Sequence, residues 1–310
     1  MALAIGGTLV CGAGVATQTR INGALSLELG DGVLAAFISF SIGFAIVIAA
    51  LLFLPRGRRG IGVVVRGLRD RSIPWPYVLG GACGAYLVFT QGMVAAVLGV
   101  ALFSIAVVAG QTLSGMLIDR RGLGTMAPKP VTALRVVGAL LALAAVIFAG
   151  SSQLGGSFAG WMLALPFLAG IGIAWQQAVN GQIREASGSA ATATFVNFLV
   201  GTSVLLIATL VHSVWAGWPA ALPANLVLYL GGLVGAMFIA LAVLVVPVTG
   251  VLLLALGTIA GQLLTSVVLD LVVPAAGHPL TVQTVVGAAL TLVAVALVAV
   301  STRATQSTER

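Results

Sequence analysis

Charge is what this chain has least of: Asp, Glu, Lys and Arg together make up 7% of its 310 residues, against about a quarter in soluble domains. With 60% hydrophobic residues and a mean hydropathy of +1.18, an ordinary soluble domain is excluded. Acids are scarcer than bases, 7 against 14. None lies clearly inside an apolar run: Glu28, Asp31, Asp70 and Glu185 fall between runs, Glu309 near the C-terminal end, and Asp119 and Asp270 at the ends of runs. A proton-driven pump normally carries its proton on a buried carboxylate, so no sure proton carrier is visible. The two cysteines, Cys11 and Cys83, sit in apolar runs without further metal ligands and read as small apolar residues. His212 and His278 fall near the ends of runs and read as solvated. There is no Walker loop, no paired carboxylates, no His/Cys cluster and no nucleophile elbow. The chain therefore reads as a non-enzyme, with no metal or cofactor implied.

What the chain has in quantity is apolar runs of about 20 residues, each able to cross a hydrocarbon core of about 30 Å. Ten can be marked, roughly Ala2–Ala24, Val33–Leu54, Tyr77–Ala95, Val100–Asp119, Val131–Gly150, Gly160–Ile183, Ala190–His212, Leu226–Val246, Val251–Leu269 and Val282–Ser301. The first lacks a basic leader and reads as an uncleaved span. The expected fold class is all-α: a polytopic membrane protein of ten helices.

The net charge of +7 reflects orientation rather than nucleic-acid binding. Arg56, Arg58, Arg59, Arg66, Arg69 and Arg71 follow run two, Arg120, Arg121 and Lys129 follow run four, Arg184 follows run six, and Arg303 and Arg310 follow run ten. In a ten-span chain these segments share one side, which the positive-inside rule makes cytoplasmic, with both termini inside. Trp75 and Tyr77 at one edge, and Trp161, Trp215, Trp218 and Tyr229 at the other, fit interfacial aromatic belts.

The chain also says nearly the same thing twice. Gly12–Gly23 reads GAGVATQTRING and Gly170–Gly181 reads GIGIAWQQAVNG, identical at six of twelve positions. The match stays in register: Phe37, Phe40 and Gly43 answer Phe195, Phe198 and Gly201, and GGACG at Gly80–Gly84 answers GGLVG at Gly231–Gly235. AGQ at Ala109–Gln111 answers Ala260–Gln262, Asp119 answers Asp270, and Gly138 answers Gly287. This divides the chain into a first five-helix repeat (1–150), a linker (151–159), a second repeat (160–301) and a cytoplasmic tail (302–310). Five spans per repeat is an odd number, so the second copy must enter the membrane upside down, and a cavity forms where inverted halves meet.

Each polar side chain in hydrocarbon asks for a partner. Gly14, Gln18 and Asn22, at i, i+4 and i+8, share one helix face, and Gly172, Gln176 and Asn180 repeat that stripe. Two compatible readings stand: packing seams joined by interhelical hydrogen bonds, or gates at opposite mouths of the cavity. Tyr86, Gln111, Trp175, Asn197 and Gln262, aromatics and amides at depth, are the candidate substrate-binding residues. Arg20, replaced by Ala178 in the second copy, can reach the interface or pair with Glu28.

At the GxGxxxQxxxNG stretches and the FxxFxxG that follows each, the chain resembles the drug/metabolite transporter superfamily, and more narrowly its YdcZ-like branch, over essentially its whole length. The resemblance implies an EamA-like fold and a bacterial inner-membrane secondary carrier, an exporter of small organic metabolites or drugs. Small multidrug resistance relatives carry a Glu inside their first helix; this chain has none there, which argues against proton-driven antiport of cations. The expected partners are a small-molecule substrate and the lipid bilayer, with no nucleic acid, in a monomer or homodimer. A lipid flippase or scramblase on the same scaffold, or a non-transporting partner subunit of a membrane assembly, are the alternatives.

Overall fold

The computed structural model describes residues 2–123, 128, 130–151, 160–274 and 280–308. Most of the linker at 151–159, together with Lys129, His278, Glu309 and Arg310, lies outside the described residues. Within them the chain is helical, with no β-strand element. Eight helices have the length and apolarity to cross a membrane, joined by the 28-residue α1 and the shorter apolar stretch Leu226–Ala242.

Helix α1 (Ala2–Leu29) ends at Gly30, whose φ of +64° suits a residue without Cβ. Asp31 then starts α2 (Gly32–Leu52), its carboxylate accepting from the Val33 and Leu34 amides at 2.8 and 3.0 Å. The second copy repeats the device. Helix α8 (Ala164–Ser187) ends at Gly188, also at φ +64°, and Ser189 caps α9 (Ala190–Ala216) by accepting from Thr192 N. The basic stretch after α2 folds as a separate helix, α3 (Pro55–Arg69).

The next crossing is composite. A 3₁₀ turn (Trp75–Leu79) leads into α4 (Gly80–Thr90), a π turn (Gln91–Ala95) and the short α5 (Ala96–Leu98). Gly99, at φ +78°, breaks the chain before α6 (Val100–Arg121). Every residue from Val100 to Gly110 is buried, so this end of α6 is core all round. Helix α7 (Ala133–Ser151) completes the first half.

Helix α10 runs from Leu230 to Val272, followed by α11 (Val282–Thr308). Yet Cys11 of α1 donates to Phe238 O, while Gly12 beside it lies against Thr258 O and Gln262 N. Twenty residues of straight helix span about 30 Å, so α10 folds back on itself and offers α1 two arms.

Packing between the halves is reciprocal. A Cβ on Gly81 would meet Asn197 O and Gly201 N; one on Gly232 would meet Ser39 O and Gly43 N, the corresponding atoms of the other copy. Gly110 lies on Phe167 O and Gly170 on Val107 O, as Gly261 lies on Leu9 O and Gly12 on Thr258 O. Gly138 faces Ala294 O and Gly287 faces Ala145 O. Thus α4 packs on α8 and α9, while the first arm of α10 packs on α1 and α2. Each approach is backbone against backbone, which is how helices associate where lipid removes the hydrophobic drive.

These contacts make a prediction with opposite signs. Gly81→Ala and Gly232→Ala force backbone apart and are expected to destabilise by about 1–3 kcal/mol each. Gly115→Ala, with nothing within 4 Å of its Cβ position inside α6, should be neutral or stabilising by up to about 1 kcal/mol. Thermal unfolding of the purified protein in detergent checks both.

Candidate functional site

The repeated Gln/Asn stripes fold into two amide clusters that differ. On α8 and α9, Gln176 Nε2 donates to Asn197 Oδ1 at 2.7 Å and Asn180 Nδ2 donates to the same oxygen at 3.3 Å. One buried carboxamide oxygen, on a side chain 6% exposed, thereby takes two donors. Two α4 glycines roof this trio: a Cβ at Gly84 would come within 2.8 Å of Gln176 Nε2, and one at Gly80 within 3.2 Å of Asn180 Oδ1.

In the first copy Ser39 stands where Asn197 stands in the second, and its side chain is too short to bridge the two amides. Asn22 turns elsewhere, its Nδ2 donating to Gln91 Oε1 at 2.6 Å. Gln91 Nε2 in turn donates to Thr19 Oγ1 at 3.0 Å, and Thr19 donates to Val15 O. Asn22 Oδ1 and Ser39 Oγ are left buried without hydrogen-bond partners, both against Gly231, while Gln18 lies against Gly235. Gln91 is fully buried in the π turn, a feature that gathers at functional sites. It carries no motif. The signal for it in the sequence is that its counterpart in the second copy is Ala242. Beside this cluster lies a hollow of about 180 Å³ lined by Thr19, Arg20, Gly23, Leu27, Ala95 and Pro274.

The FxxFxxG stretches meet between the halves. The Phe40 and Phe198 rings stand 5.0 Å apart at 42°, and Phe44 and Phe195 stand 5.7 Å apart. Phe198 rests on Gly43, and Phe40 on Gly201. Phe37 and Phe89 pack against the same cluster.

Of the five candidate substrate residues, Asn197 is joined to Gln176 and Asn180, so a residue expected in the pocket and two expected in a gate form one cluster. Gln262, 4% exposed, donates to Ser104 Oγ of α6 at 3.4 Å. Gln111 is half-buried where α6 meets α8, with a buried Oε1 that has no partner. Tyr86 is half-buried with its ring 6.2 Å from Phe89, and Trp175, also half-buried, adjoins Gln176. Among the described residues no hydrogen bond ties Tyr86, Gln111 or Gln262 to the amide trio.

The acids at helix ends have structural partners. Asp270 at the end of α10 accepts from Val100 N at 2.9 Å and Ala101 N at 2.7 Å, capping α6 across the halves. Asp119 pairs with the buried Arg135 of α7 at 3.3 Å. Arg20 and His212 gain partners that the sequence does not show. Of the two outcomes expected for Arg20, pairing with Glu28 is not seen among the described residues; the exposed guanidinium donates to Pro274 O at 3.4 Å, beyond the α10 C-terminus. His212, 40% exposed, has its Nε2 3.4 Å from Asp31 Oδ2 at the start of α2. Among the described residues no three His, Cys, Asp or Glu side chains group as metal ligands.

The trio and the cap have separable costs. Asn197→Ser, which imports the first copy's residue, strands two amide donors and should cost about 0.6–2 kcal/mol in a membrane setting. Asp270→Ala uncaps α6 and should cost about 0.5–2 kcal/mol. Because they lie in different contacts, the double variant should show nearly additive losses in thermal unfolding.

No curated protein matches the chain. It is similar to a solved structure titled "Crystal structure of protein", at 21% identity and a TM-score of 0.56, over 97% of this chain and 96% of that one. At that identity the likeness speaks for the fold alone. The family model described as "Putative inner membrane exporter, YdcZ" matches residues 3–148 and again residues 161–297, one match in each copy of the repeat. With both copies covered, the chain belongs to that family, in the YdcZ-like branch of the drug/metabolite transporters, and is a multi-pass inner-membrane protein.

Proposed function

We propose that this chain is a secondary exporter of small organic solutes that works by alternating access between two inverted five-helix halves. The carrying observation is the exchange of contacts: what α4 does to α8 and α9, the first arm of α10 does to α1 and α2. Counting α1, both arms of α10 and the composite third crossing gives ten spans, five in each half. Five is odd, so the second half runs opposite to the first. The basic segments, α3 among them, then lie in the cytoplasm with both termini.

In this reading the amide clusters sit toward opposite mouths. The trio Gln176, Asn180 and Asn197 lies two to three turns from the α8–α9 turn that carries α3, hence near the inner mouth. The set built on Gln18, Asn22 and Ser39 lies toward the outer one. Three amides join in the inner cluster, whereas the outer leaves Asn22 Oδ1 and Ser39 Oγ without partners among the described residues, so the outer closure is the weaker. Between them the phenylalanine seam and the half-buried Tyr86 and Trp175 offer aromatic faces, with Gln111 and Gln262 as polar contacts and Asn197 shared with the inner cluster. Such a lining suits a small organic solute better than a bare ion.

The native cysteines report on each closure. Cys83 lies against Gly172, next to the inner trio, and Cys11 lies on the α1–α10 contact. Gln176→Ala should raise labelling of Cys83 by a membrane-impermeant maleimide from the cytoplasmic side, and Gln18→Ala that of Cys11 from outside. If neither changes, the gate role is lost. In proteoliposomes, solutes that raise the melting temperature should also cross the membrane; movement of labelled lipid without solute flux would mean a flippase instead.

A further inference from the structure

Six arginines follow α2, more than orientation needs, and their arrangement is specific. Helix α3 is docked by one side only: Gly57, Gly60, Val64 and Gly67 are buried, and Thr192 Oγ1 of α9 donates to Gly57 O at 2.9 Å. A Cβ on Gly60 would press on Thr192 Oγ1 and come within 3.2 Å of Ser187 O. The helix is thus fastened to the α8–α9 turn. The opposite side carries Arg58, Arg59, Arg66 and Arg69, all exposed. Among the described residues none of the six guanidiniums makes an ion pair. The one carboxylate on this stretch, Asp70, is engaged by Ser72, whose N–H donates to it at 3.0 Å and whose hydrogen bonding, more than nearby Arg66, holds the carboxyl below the usual range.

The surroundings of α3 are those of a lipid boundary. It follows a spanning helix directly and precedes another. Large apolar side chains flank it in the open: Phe53 is 83% exposed and Trp75 66%. At its start is a hollow of about 420 Å³ lined by Pro55, Arg56, Arg59, Ser189 and Ala191 among others. Ser189 Oγ accepts from Thr192 N, leaving its own proton to donate into that space.

We propose that the outer side of α3 and this hollow bind the phosphate headgroups of anionic phospholipids in the leaflet that α3 borders. Guanidinium forks match phosphate oxygens in pairs, the flanking Phe53 and Trp75 match the acyl boundary, and a basic helix on an anionic surface gains from every charge it presents. Orientation alone depends on how many arginines a segment holds, not on which side of a helix they occupy. Here the charged side is segregated and the uncharged side is docked on the two helices that carry Gln176, Asn180 and Asn197. Headgroup binding would therefore stabilise the α8–α9 end of the protein.

The test uses the full chain purified in a neutral detergent and reads melting temperature, so it stands apart from any measure of transport. Added phosphatidylglycerol should raise the melting temperature and an equal amount of phosphatidylcholine should not. The rise should vanish in about 1 M salt, where the Debye length falls to about 3 Å. Replacing Arg58, Arg59, Arg66 and Arg69 by Gln together should raise the half-saturating phosphatidylglycerol concentration by about tenfold or more, with the lipid-free melting temperature unchanged; four Lys replacements, which keep the charge but not the fork, should restore binding only in part. Should the Gln variant not fold, the salt response of the unaltered protein and the single Arg59→Gln change decide. Equal shifts from both lipids, a salt-insensitive shift, or an unaltered response in the Gln variant would overturn the proposal. So would an equal rise from inorganic phosphate, which would mean a site for soluble anions.

Discussion

Between helices in a bilayer there is no hydrophobic force to exploit, because lipid tails are as apolar as leucine. What remains is close contact and hydrogen bonding, and close contact depends on removing side chains where backbones cross. Gly81, Gly232, Gly110, Gly170, Gly12 and Gly261 do this, each with its missing Cβ aimed at a backbone atom of a helix from the other half. None of these is a contact that a flexible side chain can relieve. The halves are therefore interlocked rather than adjacent: the third and fourth crossings of each are held by the first and second of the other. Packing of this kind is bistable more readily than it is soft, since a crossing either admits the partner backbone or does not.

Once the backbones are close, the amides are forced to find one another. Gln176, Asn180 and Asn197 do so within two turns of helix. In the other copy the single change from Asn to Ser at position 39 breaks the pattern, and Asn22 is rescued by a residue about 70 positions away, Gln91. That rescue coincides with the π turn at Gln91–Ala95. A copy of the sequence therefore does not yield a copy of the site. One cluster bonds its amides to each other; the other is open-ended, with oxygens at Asn22 and Ser39 unpaired among the described residues.

The doubling was legible because the same crossing demands the same residue in both copies. The phenylalanines and glycines of FxxFxxG recur together since each ring needs the other copy's glycine to rest on. The trio was half legible: the Gln/Asn spacing showed that the stripes face one way, and only the fold shows that Asn197 is what they face. Gln91 was legible only as an asymmetry against Ala242, because its importance arises from what Ser39 fails to do. Helix α3 reads as a charged loop, for four glycines in fifteen residues weigh against a helix by about 0.5–1 kcal/mol each. Three of them, Gly57, Gly60 and Gly67, are buried and allow the helix to dock, so tertiary contact reverses the local preference. The partner of Arg20, a backbone carbonyl 254 residues away, is beyond any reading of neighbours.

The aspartates show how the two copies come to rest in different states. Asp270 caps α6 because Gly99 breaks the chain there and frees the Val100 and Ala101 amides. The corresponding Asp119 of the first half pairs instead with Arg135. Under the proposed cycle, in which the halves exchange conformations, Asp119 would take the capping role that Asp270 holds here and leave Arg135. Arg135 opposes that move. It is 3% exposed, and parting a buried guanidinium from its carboxylate costs up to about 3–5 kcal/mol. Its counterpart in the second copy is the uncharged Thr284. The exchange is thus energetically lopsided: the conformation described is the one in which Arg135 keeps its carboxylate, and a substrate or lipid that favours the other state must bring differential binding of that order.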